Sequence, residues 1–389
     1  MLNFTFLSPT KIIFGKDTER HVGEEVKRYS SKILLHYGGS SIKQTGLYDR
    51  IVDSLKNADI AFIELSGVQP NPRLALVKEG IKLCNENHIG FVLAVGGGSV
   101  IDSAKAIGIG ALYDGDVWDF YSGKATPAKT LPVGVVLTIP AAGSEASKGS
   151  VIKHDRTNVK SPLNVDVLRP VFSVMNPELT FTLPQYQTAC GAADIMAHVI
   201  ERYFTDTAHV DLMDRLCEGT LKAVIENTPV VLDDPRNYDS RAEIMWAGTI
   251  AHNDLLSTGR VGDFASHAIE RGITGIYDNT HGAGLAVVLP AWMKYIYKRD
   301  LTRFIKFATR VWNVENYIDF PERTAREGIQ RMSAFFGAIG LPTTLRELNV
   351  SGDRLDDIAS DCTNAGLNTV GNCSKLNKEQ VLAILKLAW

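Results

Sequence analysis

An α/β domain followed by an all-helical domain is the fold class predicted by this sequence, and three observations carry that prediction. Up to about residue 180, short apolar runs alternate with amphipathic stretches. Beyond Thr182 long amphipathic stretches take over and strand signals nearly vanish. The chain has 389 residues, too many for one small core. Alternation of the first kind signals a parallel sheet covered by helices. The predicted domains are therefore residues 1–180 and 181–389.

The predicted strands are Lys11–Phe14, Ile33–Tyr37, Ile60–Leu65, Phe91–Val95, Val133–Ile139 and Val171–Met175. Helical patterns lie between the first four, as in Pro72–Asn87, where Leu74, Val77, Ile81 and Cys84 form one apolar face. The second half offers Ala193–Phe204, Val210–Asn227, Arg241–Asp254, Leu301–Trp312 and Arg323–Ile339. Pro229, Pro235, Pro290, Pro321 and Pro342 read as breakers between several of these. No internal repeat or low-complexity tract interrupts the pattern.

Composition excludes several partners. With 41 basic and 44 acidic residues the net charge is −3 and no basic run stands out, which argues against nucleic acid and anionic lipid. The start lacks a basic region ahead of an apolar core, and no apolar run reaches the length of a membrane span. Five cysteines without a CxxC pair fit a reduced, cytoplasmic setting.

The stretch LAVGGGSVIDSAK, residues 93–105, reads as a strand, a glycine turn and a helix N-terminus, with Ser99 and Asp102 in the spacing of a capping box. Free backbone amides, the positive end of the helix dipole and missing Cβ atoms together describe a phosphate cradle at Gly97, Gly98 and Ser99. The plainer reading is a tight turn that needs positive φ. A parallel sheet binds ligands at the carboxyl ends of its strands. The second predicted strand there runs into Gly38, Gly39, Ser40 and Ser41, where dinucleotide folds carry an acid for the ribose hydroxyls. Small neutral residues leave room for a 2′-phosphate, which favours NADP(H), although a plain serine-capped loop reads the same way. Asn71 lies in GVQPNP after the third strand, and Thr138, Ser144 and Ser147 follow the fifth.

The helical half opens with CGAADIMAHVIERYF, in which Asp194 and His198 are four residues apart and share a helix face. DFASHAIERGITGIYDNTHGAG supplies His267 and His281. Three imidazoles and a carboxylate suit a divalent ion, Fe²⁺ or Zn²⁺ foremost. An ordinary i, i+4 pair and satisfied core histidines are the alternative.

Taken in this order, the cradle, GVQPNP, the D-x-x-x-H helix and the paired histidines resemble the iron-containing alcohol dehydrogenase family, in its NADPH-dependent butanol dehydrogenase and aldehyde reductase branch. The resemblance spans nearly the whole chain. It implies a Rossmann-like N-terminal domain and an all-α C-terminal domain, in the two-domain architecture shared with dehydroquinate synthase, with cofactor and metal between them. It also implies hydride transfer between NADP(H) and an alcohol/aldehyde pair, and a homodimer. By that likeness Asp194, His198, His267 and His281 bind the ion and carry the catalysis. Gly97, Gly98, Ser99 and Asp102 hold the pyrophosphate region, and Gly38, Gly39, Ser40 and Asn71 face the adenosine. Thr138 and Ser147 lie along the cofactor, and Lys160 lies nearer the nicotinamide. The alternatives are a dehydroquinate synthase-type metal- and NAD-dependent cyclase or lyase and an NAD-dependent polyol dehydrogenase.

Two positions depart from the family pattern. Arg271 stands where many members have a histidine cited in proton relay, and Asn176 precedes Pro177 where Asp-Pro is common. A fixed cation cannot shuttle protons near neutral pH, which leaves Tyr277 and His154 as candidate relays.

Overall fold

The computed structural model describes residues 1–157 and 159–389. It divides the chain into two compact units, and neither is a single stretch of sequence. One comprises Leu7–Leu183 with Pro235–Asn253; the other comprises Met1–Phe6, Pro184–Asp234 and Asp254–Trp389. The boundary near residue 183 lies close to the expected one. The expected division at 180 and 181, however, leaves out the exchange of helix Tyr238–His252 into the first unit and of the N-terminal segment into the second.

The first unit is built on a six-stranded parallel sheet. Its strands are β1 (Lys11–Phe14), β2 (Lys32–Tyr37), β3 (Ala61–Leu65), β4 (Phe91–Gly96), β5 (Val133–Leu137) and, after the hairpin strands β6 (Gly149–Lys153) and β7 (Lys160–Asn164), β8 (Phe172–Met175). Their order is β1-β8-β5-β4-β2-β3, and every neighbouring pair is parallel. Alternate residues feed two separate cores. Leu34, Val92, Ala94, Val135 and Leu137 pack on one face under helices Leu74–Asn87 and Gly98–Gly110. Ile33, Leu35, Phe91, Leu93, Val95 and Val136 pack on the other under Val22–Lys27 and Leu47–Asn57. Each fully buried Leu, Ile or Val contributes about 1.5–3 kcal/mol, so strands buried on both faces need the unbroken apolar runs seen in the sequence. Gly134 in β5 is bare because Phe91 and Phe172 stack across it, 5.8 Å apart, and a Cβ there would lie 2.4 Å from the Phe172 ring.

The second unit is helical among its described residues, apart from one bridge between Val370 and Leu376. Helix Gln185–Tyr203 is buried along nearly its whole length. Two of the expected breakers do not break: Asp211–Asp233 contains Pro229 and His281–Ile296 contains Pro290. Each proline costs its helix one backbone hydrogen bond. The burial of Gly282 to Met293 without interruption outweighs that loss at Pro290. No helix among the described residues is long and apolar enough to cross a membrane.

Candidate active site: a main-chain cradle and a carboxylate-backed trio

In the sheet, β3 lies on one side of β2 and β4 on the other, so the chain reverses its direction of travel across the sheet between them. The segments that follow β2 and β4 therefore flank a single crevice at the strands' carboxyl ends, and these are Gly38–Ser41 and Gly97–Ser99. The glycine turn is not there for positive φ. Gly97 is extended, with φ −92° and ψ −170°, and caps helix Gly98–Gly110. A Cβ on Gly96 would lie 2.5 Å from Val100, and one on Gly97 would lie 2.9 Å from Ile139, so internal packing explains both. At Gly98 an added Cβ would meet nothing within 4 Å. The protein itself gives no reason for that glycine, whereas a ligand lying on the backbone does. Val100 and Ile101 both donate to the Gly97 carbonyl, which leaves the amides of Gly98 and Ser99 as the outward first-turn donors.

The expected capping box is absent. Ser99 is not the cap, and the Asp102 carboxylate accepts instead from Ser144 Oγ at 2.5 Å and from the Val151 amide at 2.9 Å. Those donors lie in and after the loop that follows β5, so Asp102 ties that loop to the helix. Lys105 does the same from the next turn. Fully buried, it donates to the carbonyls of Ser144, Ser147 and Gly149 at 2.7, 3.0 and 2.8 Å. Burial pulls its pKa down to about 8, and the Asp102 charge opposes that shift. Asp102 is pushed up by the same burial. Ser147 is buried, with its hydroxyl accepting from the Gly149 amide at 3.2 Å, so it faces into the chain. Thr138 is partly exposed, its amide bonded to Gly96, and Lys160 is partly exposed at the head of β7.

At the adenosine end, Gly39 and Ser40 are exposed, and a Cβ on Gly39 would meet nothing within 4 Å. The nearby acid, Glu64 of β3, is already held by the hydroxyls of Tyr37 and Tyr48 and lies 3.6 Å from Lys43. Asn71 is buried in the left-handed conformation, φ 57°.

In the helical unit, Asp194, His267 and His281 each offer a ligand atom, and these atoms lie within 4.8 Å of one another. Asp194 comes from helix Gln185–Tyr203, His267 from Ala265–Tyr277, and His281 opens His281–Ile296. His198 borders the trio without joining it: Nε2 lies 3.4 Å from Asp194 Oδ1, and its ring centre lies 4.4 Å from that of His267. Behind two of the imidazoles stand buried carboxylates that the sequence reading passed over. Glu201 Oε1 accepts from Ser266 Oγ and from the His267 amide at 3.1 Å, and lies 3.3 Å from His267 Nδ1. Glu270 binds His281 Nδ1 through one oxygen and Thr274 Oγ1 through the other. With Nδ1 occupied, each ring presents Nε2. His267 Nε2 is buried and has no hydrogen-bond partner among the described residues. An orphaned, buried lone pair beside a carboxylate and a second imidazole fits a divalent ion, and carboxylate-backed histidines are how such ligands are oriented. The signal was present in the sequence, as acids three residues after His198 and after His267.

Both relay candidates are engaged locally. The Tyr277 hydroxyl accepts from the Ser351 amide, and His154 Nδ1 accepts from the amides of Arg156 and Thr157. Asn176 donates to Glu19, which is itself paired with Arg50. An aspartate at 176 would set two buried carboxylates against each other, which accounts for the departure in this chain.

Comparison with known proteins gives the family. Residues 9–177 match the family described as iron-containing alcohol dehydrogenase, and residues 188–389 match its C-terminal counterpart. A probable NADH-dependent butanol dehydrogenase of Bacillus subtilis is 45% identical over 99% of both chains. The NADPH-dependent aldehyde reductase YqhD of Escherichia coli is 36% identical over 95% of both. A crystal structure of NADH-dependent butanol dehydrogenase A from Thermotoga maritima superposes with a TM-score of 0.96 at 38% identity, covering 100% of this chain and 99% of that one. This chain therefore belongs to the iron-containing alcohol dehydrogenase family, whose oxidoreductases work on alcohol and aldehyde pairs with a nicotinamide cofactor and a divalent metal.

Proposed function

We propose that this protein transfers hydride between NADP(H) and a primary alcohol/aldehyde pair, with Fe²⁺ or Zn²⁺ held by Asp194, His267 and His281 and with His198 as the fourth ligand. The observation that carries the reading is His267 Nε2, buried and without a hydrogen-bond partner among the described residues, beside two further ligand atoms. A bound ion there supplies Lewis-acid polarisation of the carbonyl oxygen and, in the reverse direction, acidifies the alcohol. Glu201 and Glu270 hold the imidazoles in the tautomer that leaves Nε2 bare. The amides of Gly98 and Ser99 receive the pyrophosphate, and the wall formed by Asp102, Lys105 and Ser144 keeps that turn in place. Arg271 is a fixed cation near neutral pH and cannot shuttle a proton, so a relay would use water, a ribose hydroxyl or another group.

Support for NADP(H) over NAD(H) comes from the open, uncharged Gly39 and Ser40 and from the engagement of Glu64. The names of relatives divide on this point, NADH for the Bacillus protein and NADPH for the Escherichia one. A homodimer belongs to the same reading, and Leu2, Phe4 and Phe6 are exposed apolar surface that a partner could cover. The test is metal analysis of protein purified without chelator, followed by kcat/KM for short aldehydes with NADPH and NADH. Gly39→Asp is expected to move the NADPH/NADH ratio about tenfold or more towards NADH, because it sets a carboxylate against the 2′-phosphate. A wild-type preference for NADH sinks the cofactor assignment alone, and metal-free protein that turns over aldehydes sinks the metal.

A further inference from the structure

Arg271 follows His267 by four residues on helix Ala265–Tyr277, so the two side chains leave the helix on one stripe, with Cβ atoms about 5–6 Å apart. Arg202, Arg260 and Arg303 of this unit each find protein acceptors, although Arg260 Nε has none among the described residues. Arg202 donates to the His198 carbonyl and Ser257, Arg260 to the Val210 carbonyl and Asp214, and Arg303 to the Tyr203 carbonyl and Asp214. Arg271 is half-buried, yet among the described residues its guanidinium makes no hydrogen bond or ion pair. The charges it senses belong to Glu270, Cys362 and Glu201. Two of these are the carboxylates behind the imidazoles. Both carboxylates are already committed to histidine and hydroxyl donors. Cys362 is no alternative counter-charge, since burial pushes its thiol up to about 12. A partly desolvated guanidinium with five donors and no acceptor is costly unless something supplies the acceptor.

We propose that Arg271 is a specificity-determining residue that receives the carboxylate of an aldehyde-acid substrate, one whose carboxylate lies a few bonds from the carbonyl reduced at the trio. A carboxylate matches the planar fork of the guanidinium with two parallel hydrogen bonds. The inference rests on the metal-dependent reduction proposed above. It narrows the substrate class of that site from aldehydes in general to those carrying an anion.

Two measurements test it. The first compares kcat/KM for 4-oxobutanoate and butanal, which share a four-carbon chain and differ in the terminal charge. Wild type is expected to favour 4-oxobutanoate by about tenfold or more, and Arg271→Gln to lower that ratio about 10- to 100-fold, with Arg271→Lys in between. The second measures butyrate binding to the metal-loaded protein by calorimetry, which needs no turnover. Arg271→Gln is expected to weaken butyrate about tenfold. A wild type indifferent to the terminal charge, a ratio that the glutamine variant leaves unmoved, or butyrate affinity equal in both proteins overturns the proposal. Should neither aldehyde be reduced with either cofactor while butyrate binding still depends on Arg271, the anion seat stands and the hydride-transfer reading falls. The wild-type comparison decides the matter even if a variant folds poorly.

Discussion

His36 and His267 are both buried imidazoles, one in the sheet unit and one in the helical unit, and their surroundings differ in one respect. His36 bonds on both nitrogens, to the Leu65 carbonyl and to Ser103 Oγ, each at 2.9 Å. His267 is held at Nδ1 by Glu201, and its Nε2 has no hydrogen-bond partner among the described residues. The first is a satisfied core group; the second is half of a bond. The same contrast runs through the two binding regions. At the ends of β2 and β4 the donors offered to a ligand are main-chain amides, which depend on missing side chains, whereas around His267 they are side chains that depend on other side chains. An added methyl harms the first kind of site and a removed one harms the second.

The sharpest break of this comparison is His267→Ala. It is expected to lower turnover about 10³- to 10⁴-fold, the loss of several kcal/mol of transition-state stabilisation, while dinucleotide binding followed by fluorescence stays within about threefold. Loss of both together would show that the two regions are not separately built. Next in size is the acid response of His36. Burial pulls its pKa from 6.5 to about 4. Between those values the unfolded chain takes up a proton that the folded chain refuses, so stability falls as pH drops through that window, by up to about 3 kcal/mol at its foot. Urea midpoints from pH 7 down to 4 should show the fall, and His36→Asn should flatten it. Glu201→Gln comes third. It removes the charge behind His267 and is expected to weaken metal affinity about 10- to 100-fold by chelator competition, with the helices intact by circular dichroism. The smallest effect belongs to Gly98→Ala. The added Cβ meets no protein atom within 4 Å, so melting should barely change, yet dinucleotide affinity should drop about tenfold. Unchanged affinity would mean that nothing lies against that backbone.

The sheet was legible because its inner strands β4, β5 and β8 are buried on both faces. Phe91–Val95 and Val133–Ile139 could hardly be read otherwise, and the strands begin and end within two residues of the expected positions. Pairing of β6 with β7 escaped notice because Pro162 and the polar residues of Lys160–Asn164 carry no apolar alternation, and their partners are set by register alone. Pro229 and Pro290 misled because local propensity yields to packing in a buried helix. At the candidate site, Asp194, His267 and His281 were visible as ligand types, and their spacing in sequence said nothing about distance. Asp102 was assigned from a spacing that also suits a different partner, and only the fold brings Ser144 and Val151 to it. Glu201 and Glu270 went unread because an acid three residues from a histidine looks like any other on a helix.

The way the chain is shared between its units bears on how it can be cut. Helix Tyr238–His252 belongs with the sheet, where Thr249 donates to Glu145 at 2.6 Å and the Gly248 carbonyl sits 2.7 Å from where a Cβ on Gly143 would be. A fragment stopped at Leu183 would expose that surface and strand Glu145 without its hydroxyl donor. Expressing either half alone is thus expected to yield an aggregating polypeptide. Limited proteolysis should find its first stable products only where the nicked pieces stay associated.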